Sequence, residues 1–144
     1  MIDPNNPIVQ LCAQGMQAEF DGKPDVARAL FTQAWEDAQD DFEASIAAHF
    51  LARQQDTPAD TLHWNQVSLA RADAVADERV ESFYPSLYLN LGHSYEVLGD
   101  LEQASKYYDL AAAKTSVLDD DRYGGIVRQG IAAGKSRITA ASDN

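Results

Sequence analysis

Leu91-Gly92-His93-Ser94-Tyr95-Glu96-Val97-Leu98-Gly99-Asp100-Leu101-Glu102-Gln103-Ala104-Ser105-Lys106-Tyr107-Tyr108-Asp109-Leu110-Ala111 reads as two helices around one turn. Gly99 supplies the turn, and Asp100 with Gln103 stands in the N-cap and N3 places of a following helix. Ala104, Tyr108 and Ala111 recur at i, i+4 and i+7, the spacing of one buried helical face. Gly92 lacks a Cβ where the first helix must let the second approach. Shifted by 77 positions, the same spacing returns as Gly15, Gly22, Ala27, Phe31 and Ala34. Five coincidences at fixed spacing make the pattern a repeat, and a repeated helix-turn-helix predicts an all-α fold of helical hairpins.

Working outward, the other breaks are Asn6-Pro7, Asp40-Asp41, Asp56-Thr57-Pro58 and Asp119-Asp120-Asp121. Pro7, Pro24 and Pro58 suit a first helical turn, where a missing N–H costs nothing. Thr57 with Asp60 is a second, weaker capping pair, and the aspartate run is a helix start complementing the N-terminal dipole. The spacing predicts helices over 7–20, 24–38, 41–55, 58–74, 81–98, 101–115 and 122–139 within a single domain, 1–144. Around Pro85 two readings stay open: a helical stretch that kinks there, or a helix that Pro85 itself opens. About a sixth of the residues are alanine and no run alternates β-branched residues, so strands have nowhere to form.

With 144 residues the chain can bury roughly 68–70% of its unfolded surface and needs no disulfide or structural metal. The one cysteine, Cys12, reads as a small buried hydrophobe in a reducing compartment, which makes a cytoplasmic location the expectation. No apolar run approaches a membrane span, and Met1-Ile2-Asp3-Pro4 lacks the basic start of a signal peptide. Against 23 acidic residues stand 11 basic ones, a net charge of −12 that argues against nucleic acid and anionic membrane as partners. No phosphate loop, nucleophile elbow or metal-spaced motif is present, so neither catalysis nor a cofactor is expected.

The paired glycines and the Ala–aromatic–Ala stripe, with Tyr88, Leu91 and Tyr95, resemble the tetratricopeptide repeat, a 34-residue helix-turn-helix unit. The resemblance implies a helical-hairpin superhelix of three repeats, at about 7–39, 41–75 and 81–115, plus a capping helix at about 122–139. Aligning Trp64 with Phe31 and Tyr108 places a degenerate middle copy, with Ala48 at the first glycine and Asp60 at the alanine. The last junction is then about ten residues too long, which calls for longer helices or an extra turn between Val75 and Pro85. The cap carries Tyr123, Val127, Ile131, Gly134 and Ile138 on one face. Its basic side chains suit either a solvated face or docking on an acidic surface, its own or a second copy's. Its four glycines, Gly124, Gly125, Gly130 and Gly134, mark it as the element expected to fray first. The words Arg53-Gln54-Gln55-Asp56-Thr57-Pro58 and Phe83-Tyr84-Pro85-Ser86-Leu87 are similar to those of short bacterial members of this family.

Tetratricopeptide proteins typically hold a protein or peptide segment in the groove lined by the first helix of each hairpin. The resemblance implies lining by Val9, Cys12, Met16, Glu19 and Phe20 from the first copy and Phe42, Ser45, His49, Ala52 and Arg53 from the second. The third contributes Ser86, Leu89, Asn90, His93, Glu96 and Val97. Met16, Phe20 and Phe42 would be apolar anchors, with His49, Arg53, Asn90, His93 and Glu96 fixing orientation. The family's carboxylate clamp is disfavoured, since of the matching positions Cys12, Met16, Ile46, Ser86 and Asn90 only the last keeps a suitable residue type. The alternatives are a self-associating homodimer and, less favoured, a small-molecule sensor or enzyme.

Overall fold

A computed structural model describes residues 2–143. The described residues are all-α, with no strand: α1 Pro7–Phe20, α2 Pro24–Asp37, α3 Asp41–Leu51, α4 Pro58–Val75, α5 Tyr84–Val97, α6 Leu101–Ala113 and α7 Arg122–Ser142. Short 3-10 turns follow α3 at Ala52–Gln54, where the sequence predicted one more α-helical turn, and α6 at Thr115–Val117, where it predicted two more helical residues. The chain divides into two compact units, residues 1–80 and 81–144.

Each helix starts on a local signal. The side chains of Asn6, Asp40, Thr57, Asp100 and Asp121 accept hydrogen bonds from backbone N–H groups of the turn they open. Pro7, Pro24, Pro58 and Pro85 lie in first turns. Gly22 and Gly99 turn their hairpins at φ +74° and +83°, in the left-handed region that glycine tolerates. The long junction is also accounted for. Ala76 ends α4 in the left-handed region at φ 53°, and a 3-10 stretch at Glu78–Phe83 leads into α5. Both readings of Pro85 thus hold in part: helical backbone precedes it, and α5 begins at Tyr84, later than the periodicity predicts.

In the first unit α1 packs on α2 and α3 on α4, with α3 also against α1 and α2. Phe31 is fully buried, its ring lying where a Cβ on Gly15 would stand and stacking on Phe50 of α3 at 5.4 Å. Ala27, Ala34, Ala47, Ala48 and Ala72 are buried completely, so helices meet at backbone distance. Trp64 is half-buried, edge-on to Trp35 at 5.0 Å. Between α3 and α4 the hydroxyl of Ser45 donates to the carbonyl of Ser68 and that of Ser68 to the carbonyl of Ser45, both at 2.9 Å.

The second unit repeats this plan with one helix fewer. Tyr108 is fully buried in α6, its ring against both Gly92 of α5 and Gly134 of α7. Helix α7 packs on both α5 and α6, as α3 does on α1 and α2. Its face is the predicted one, with Val127, Ile131, Gly134 and Ile138 buried and Tyr123 largely exposed. Gly124 meets the carbonyl of Asp119, Gly130 meets Leu89 and Gly134 meets Tyr108, whereas a Cβ on Gly125 meets nothing. Three of the four glycines are therefore positions of close approach, and their cost in helix propensity is offset by packing.

This contrast fixes opposite signs for one substitution. Gly125→Ala is expected to raise stability by up to about 1 kcal/mol through propensity alone. Gly134→Ala is expected to lower it by about 1–3 kcal/mol, because Tyr108 must move. Chemical denaturation of both variants checks the pair, as does Ala76→Gly, which should stabilise by roughly 0.5–1 kcal/mol.

Candidate functional site

The candidate lining residues fall into three environments. Besides Arg53, which is exposed but ion-paired, four are exposed: Met16 and Phe20 near the end of α1, and His93 and Val97 in the same repeat positions of α5. Phe20 leaves 88% of its surface open and Val97 55%. Each pair is spaced by four residues, so each forms a short stripe on one face of its helix.

A second group is engaged within its own unit. Glu19 is ion-paired with Arg53 at 3.0 Å and accepts a hydrogen bond from Gln54 Nε2 at 2.6 Å, tying the end of α1 to the turn after α3. Arg53 also lies over the Phe50 ring, 5.8 Å from its centre. Glu96 has the corresponding role in the second unit. Arg137 of α7 donates to both its oxygens at 2.8 and 3.1 Å, and the Tyr108 hydroxyl donates at 2.7 Å. The hydrogen bond from Arg137 holds the Glu96 carboxyl below its usual range, aided by Tyr108 and the charges of Arg137 and His93. Tyr108 is pushed up to about 12, first by burial and then by the Glu96 carboxylate. Phe42 is half-buried under the Arg79 guanidinium, 5.1 Å from its ring centre. Asn90 is half-buried.

A third group belongs to the core, which corrects the sequence reading. Ser45 is buried with its hydroxyl spent on Ser68, so it lines the contact between α3 and α4 and no open face. Cys12 and Ser86 are buried as well. Burial pushes the Cys12 thiol up to about 12, the state of an unreactive packing residue. Leu89 packs into the clusters around Tyr108 and Val127, beneath Gly130 of α7. The helix that caps the second unit thereby covers a position assigned to the lining. The i, i+3, i+7 spacing is shared by core and surface stripes of a helix, and only a neighbour distinguishes them.

Three of the four basic side chains of α7 serve their own unit. Besides Arg137, Lys135 pairs with Asp109 at 3.4 Å, and Arg128 donates to the carbonyls of Leu118 and Asp119 at 3.0 and 3.2 Å. The sequence reading placed Arg137 among the basic side chains of the cap without naming its partner, and gave Gln54 no role. A signal existed: Glu19 and Glu96 are themselves 77 positions apart, so a partner for one implies a partner for the other.

His49 is half-buried beside Phe50, ring centres 5.1 Å apart. Burial, and then the charge of Arg53, lower its pKa to about 4. Among the described residues no group of three His, Cys, Asp or Glu side chains is placed to hold a metal ion, and no helix is long and apolar enough to cross a membrane. Comparison with protein-family models, curated proteins and solved structures finds no match to this chain.

The pH dependence of stability tests the environment of His49. Its folded pKa lies below the unfolded value near 6.5, so the unfolded chain takes the proton first as pH falls. Stability should be constant above about pH 7 and fall by about 1 kcal/mol by about pH 5.5, before most carboxylates titrate. Replacing His49 with Leu should flatten that interval in denaturant titrations. A separate expectation concerns the clamp on Glu96: Arg137→Met should cost about 1 kcal/mol at neutral pH and loosen α7 first, read by amide exchange.

Proposed function

We propose that the chain is a tetratricopeptide-like, non-enzymatic scaffold that binds a protein or peptide segment through the open face of the first helix of each hairpin. The single observation that carries this reading is Phe20. An aromatic ring with 88% of its surface in water, one turn after an exposed Met16, gains nothing in the free protein. Covering such a ring contributes about 2 kcal/mol or more, and aromatic anchors dominate binding faces. The repeat supports the assignment. The same register of α5 presents His93 and Val97, while the glutamate beside each stripe is tied down by an arginine, so each stripe stands on a rigid base.

In this reading Met16 and Phe20 anchor a partner on the first unit, and His93 and Val97 form the corresponding stripe of the second. Glu19, Arg53 and Glu96 hold the helices in place instead of touching the ligand. An acidic chain with a buried, unreactive thiol suits a cytoplasmic scaffold. It gives no reason to expect nucleic acid or membrane as partner.

Peptides selected for binding to the immobilised chain test the reading. Phe20→Ser is expected to weaken the selected peptides at least about thirtyfold with the fold intact by circular dichroism. Affinity unchanged by Phe20→Ser and by Val97→Ser would overturn it. A concentration-dependent dimer in sedimentation that Phe20→Ser dissolves would show that the face is met by a second copy.

A further inference from the structure

In the first unit the turn between α2 and α3 borders two adjoining open depressions of about 620 and 540 Å³, which share Glu36, Ala38 and Gln39. The larger is lined by Pro7, Ile8 and Leu11 of α1 with Ala38, and by Glu36, Asp37, Gln39 and Glu43, so apolar and acidic side chains share it. Glu43 is occupied by the backbone N–H of Gln39 and the side-chain amide of Asn6, and Asp37 accepts from Gln33. Glu36 is exposed and takes part in no hydrogen bond or ion pair among the described residues.

Two further observations give this depression a direction. Glu36 and Asp37 occupy the last turn of α2, which carries no basic residue, so two carboxylates stand at the negative end of the helix dipole. Helix termini ordinarily place cations there. Nor does the unit have a cation to spare. Residues 2–80 contain four arginines, and Arg28, Arg53, Arg71 and Arg79 are paired with Asp56, Glu19, Asp41 and Asp77. The one lysine, Lys23, sits at the opposite end of α2. The carboxylates of Glu36 and Asp37 at this depression are therefore paired with none of the unit's arginines.

We propose that this depression receives a cationic segment of a partner protein, with arginine or lysine heads on Glu36 and Asp37 and their aliphatic stems over Pro7, Leu11 and Ala38. Long basic side chains match such a surface because they bury an apolar stem and keep a charged head in water. Desolvation is small at exposed carboxylates, and the dipole and both carboxylates act together on one cation. The site uses none of the residues of the Met16–Phe20 stripe. It adds the charge of the partner to the reading above.

The test is binding of an end-blocked arginine–alanine peptide to the full chain, against a glutamate–alanine peptide of equal length. The double variant Glu36→Gln with Asp37→Asn should weaken the arginine peptide about tenfold. Asp25→Asn with Asp60→Asn, which removes the same charge outside the depression, should change it less than about twofold. The first double variant removes carboxylates that the dipole opposes, so it should melt at or above the wild-type temperature, and loss of binding cannot be ascribed to unfolding. Equal weakening by both double variants, equal affinity for the glutamate peptide, or no binding of the arginine peptide to the wild type would overturn the proposal. Phe20→Ser should leave the arginine peptide unaffected, so failure here and failure of the scaffold reading are separate results.

Discussion

An aromatic ring seated on a glycine is the contact on which both units rest. Phe31 on Gly15 and Tyr108 on Gly92 bring the two helices of a hairpin to a distance that a Cβ would forbid. The ring then fills the space down to the third helix, meeting Phe50 in one unit and Gly134 in the other. The surrounding alanines follow from the same requirement. A helix drawn this close tolerates only small side chains, and Ala27, Ala34, Ala104 and Ala111 are buried completely. Interiors of this kind leave little freedom in which face of each helix turns outward.

Once the hairpins are closed, the polar contacts complete the third helix. Glu19 with Arg53 and Glu96 with Arg137 are equivalent ties, one in each unit, joining the end of the first helix to the turn after the third in one and to the third helix itself in the other. They differ in one atom of consequence. Where Phe31 ends in a C–H edge, Tyr108 carries a hydroxyl that donates to Glu96, so the second tie is a three-member network. The exposed stripes stand next to these ties, and this is why Met16, Phe20, His93 and Val97 are presented from fixed positions.

The distribution of charge completes the functional picture. In the first unit the arginines are consumed in internal pairs, and Glu36 and Asp37 stand outside those pairs where α2 ends. In α7, whose basic side chains stand out in the sequence, Arg128, Lys135 and Arg137 are spent on carbonyls, Asp109 and Glu96. Net charge alone therefore describes the outer field, while the accessible charge depends on which pairs have already formed. The scaffold reading and the cationic-partner proposal both draw on what is left over after that pairing.

Much of the architecture was legible from local rules. The seven helices, their caps at Asn6, Thr57, Asp100 and Asp121, and the 77-residue repeat follow from spacing and turn chemistry, which act within one or two helical turns. The junction before α5 was legible only as an excess of length. A left-handed Ala76 and a 3-10 stretch take up that excess, and no glycine at the turn announces it. The site was legible in its register and not in its exposure. Cys12, Ser45 and Leu89 share helical faces with Met16, His49 and His93, yet the first three are covered by neighbouring helices. Periodicity determines which residues lie on one side of a helix, because it is a property of the backbone screw. Whether that side meets water or another helix is decided by packing between segments far apart in the chain, which no local pattern encodes.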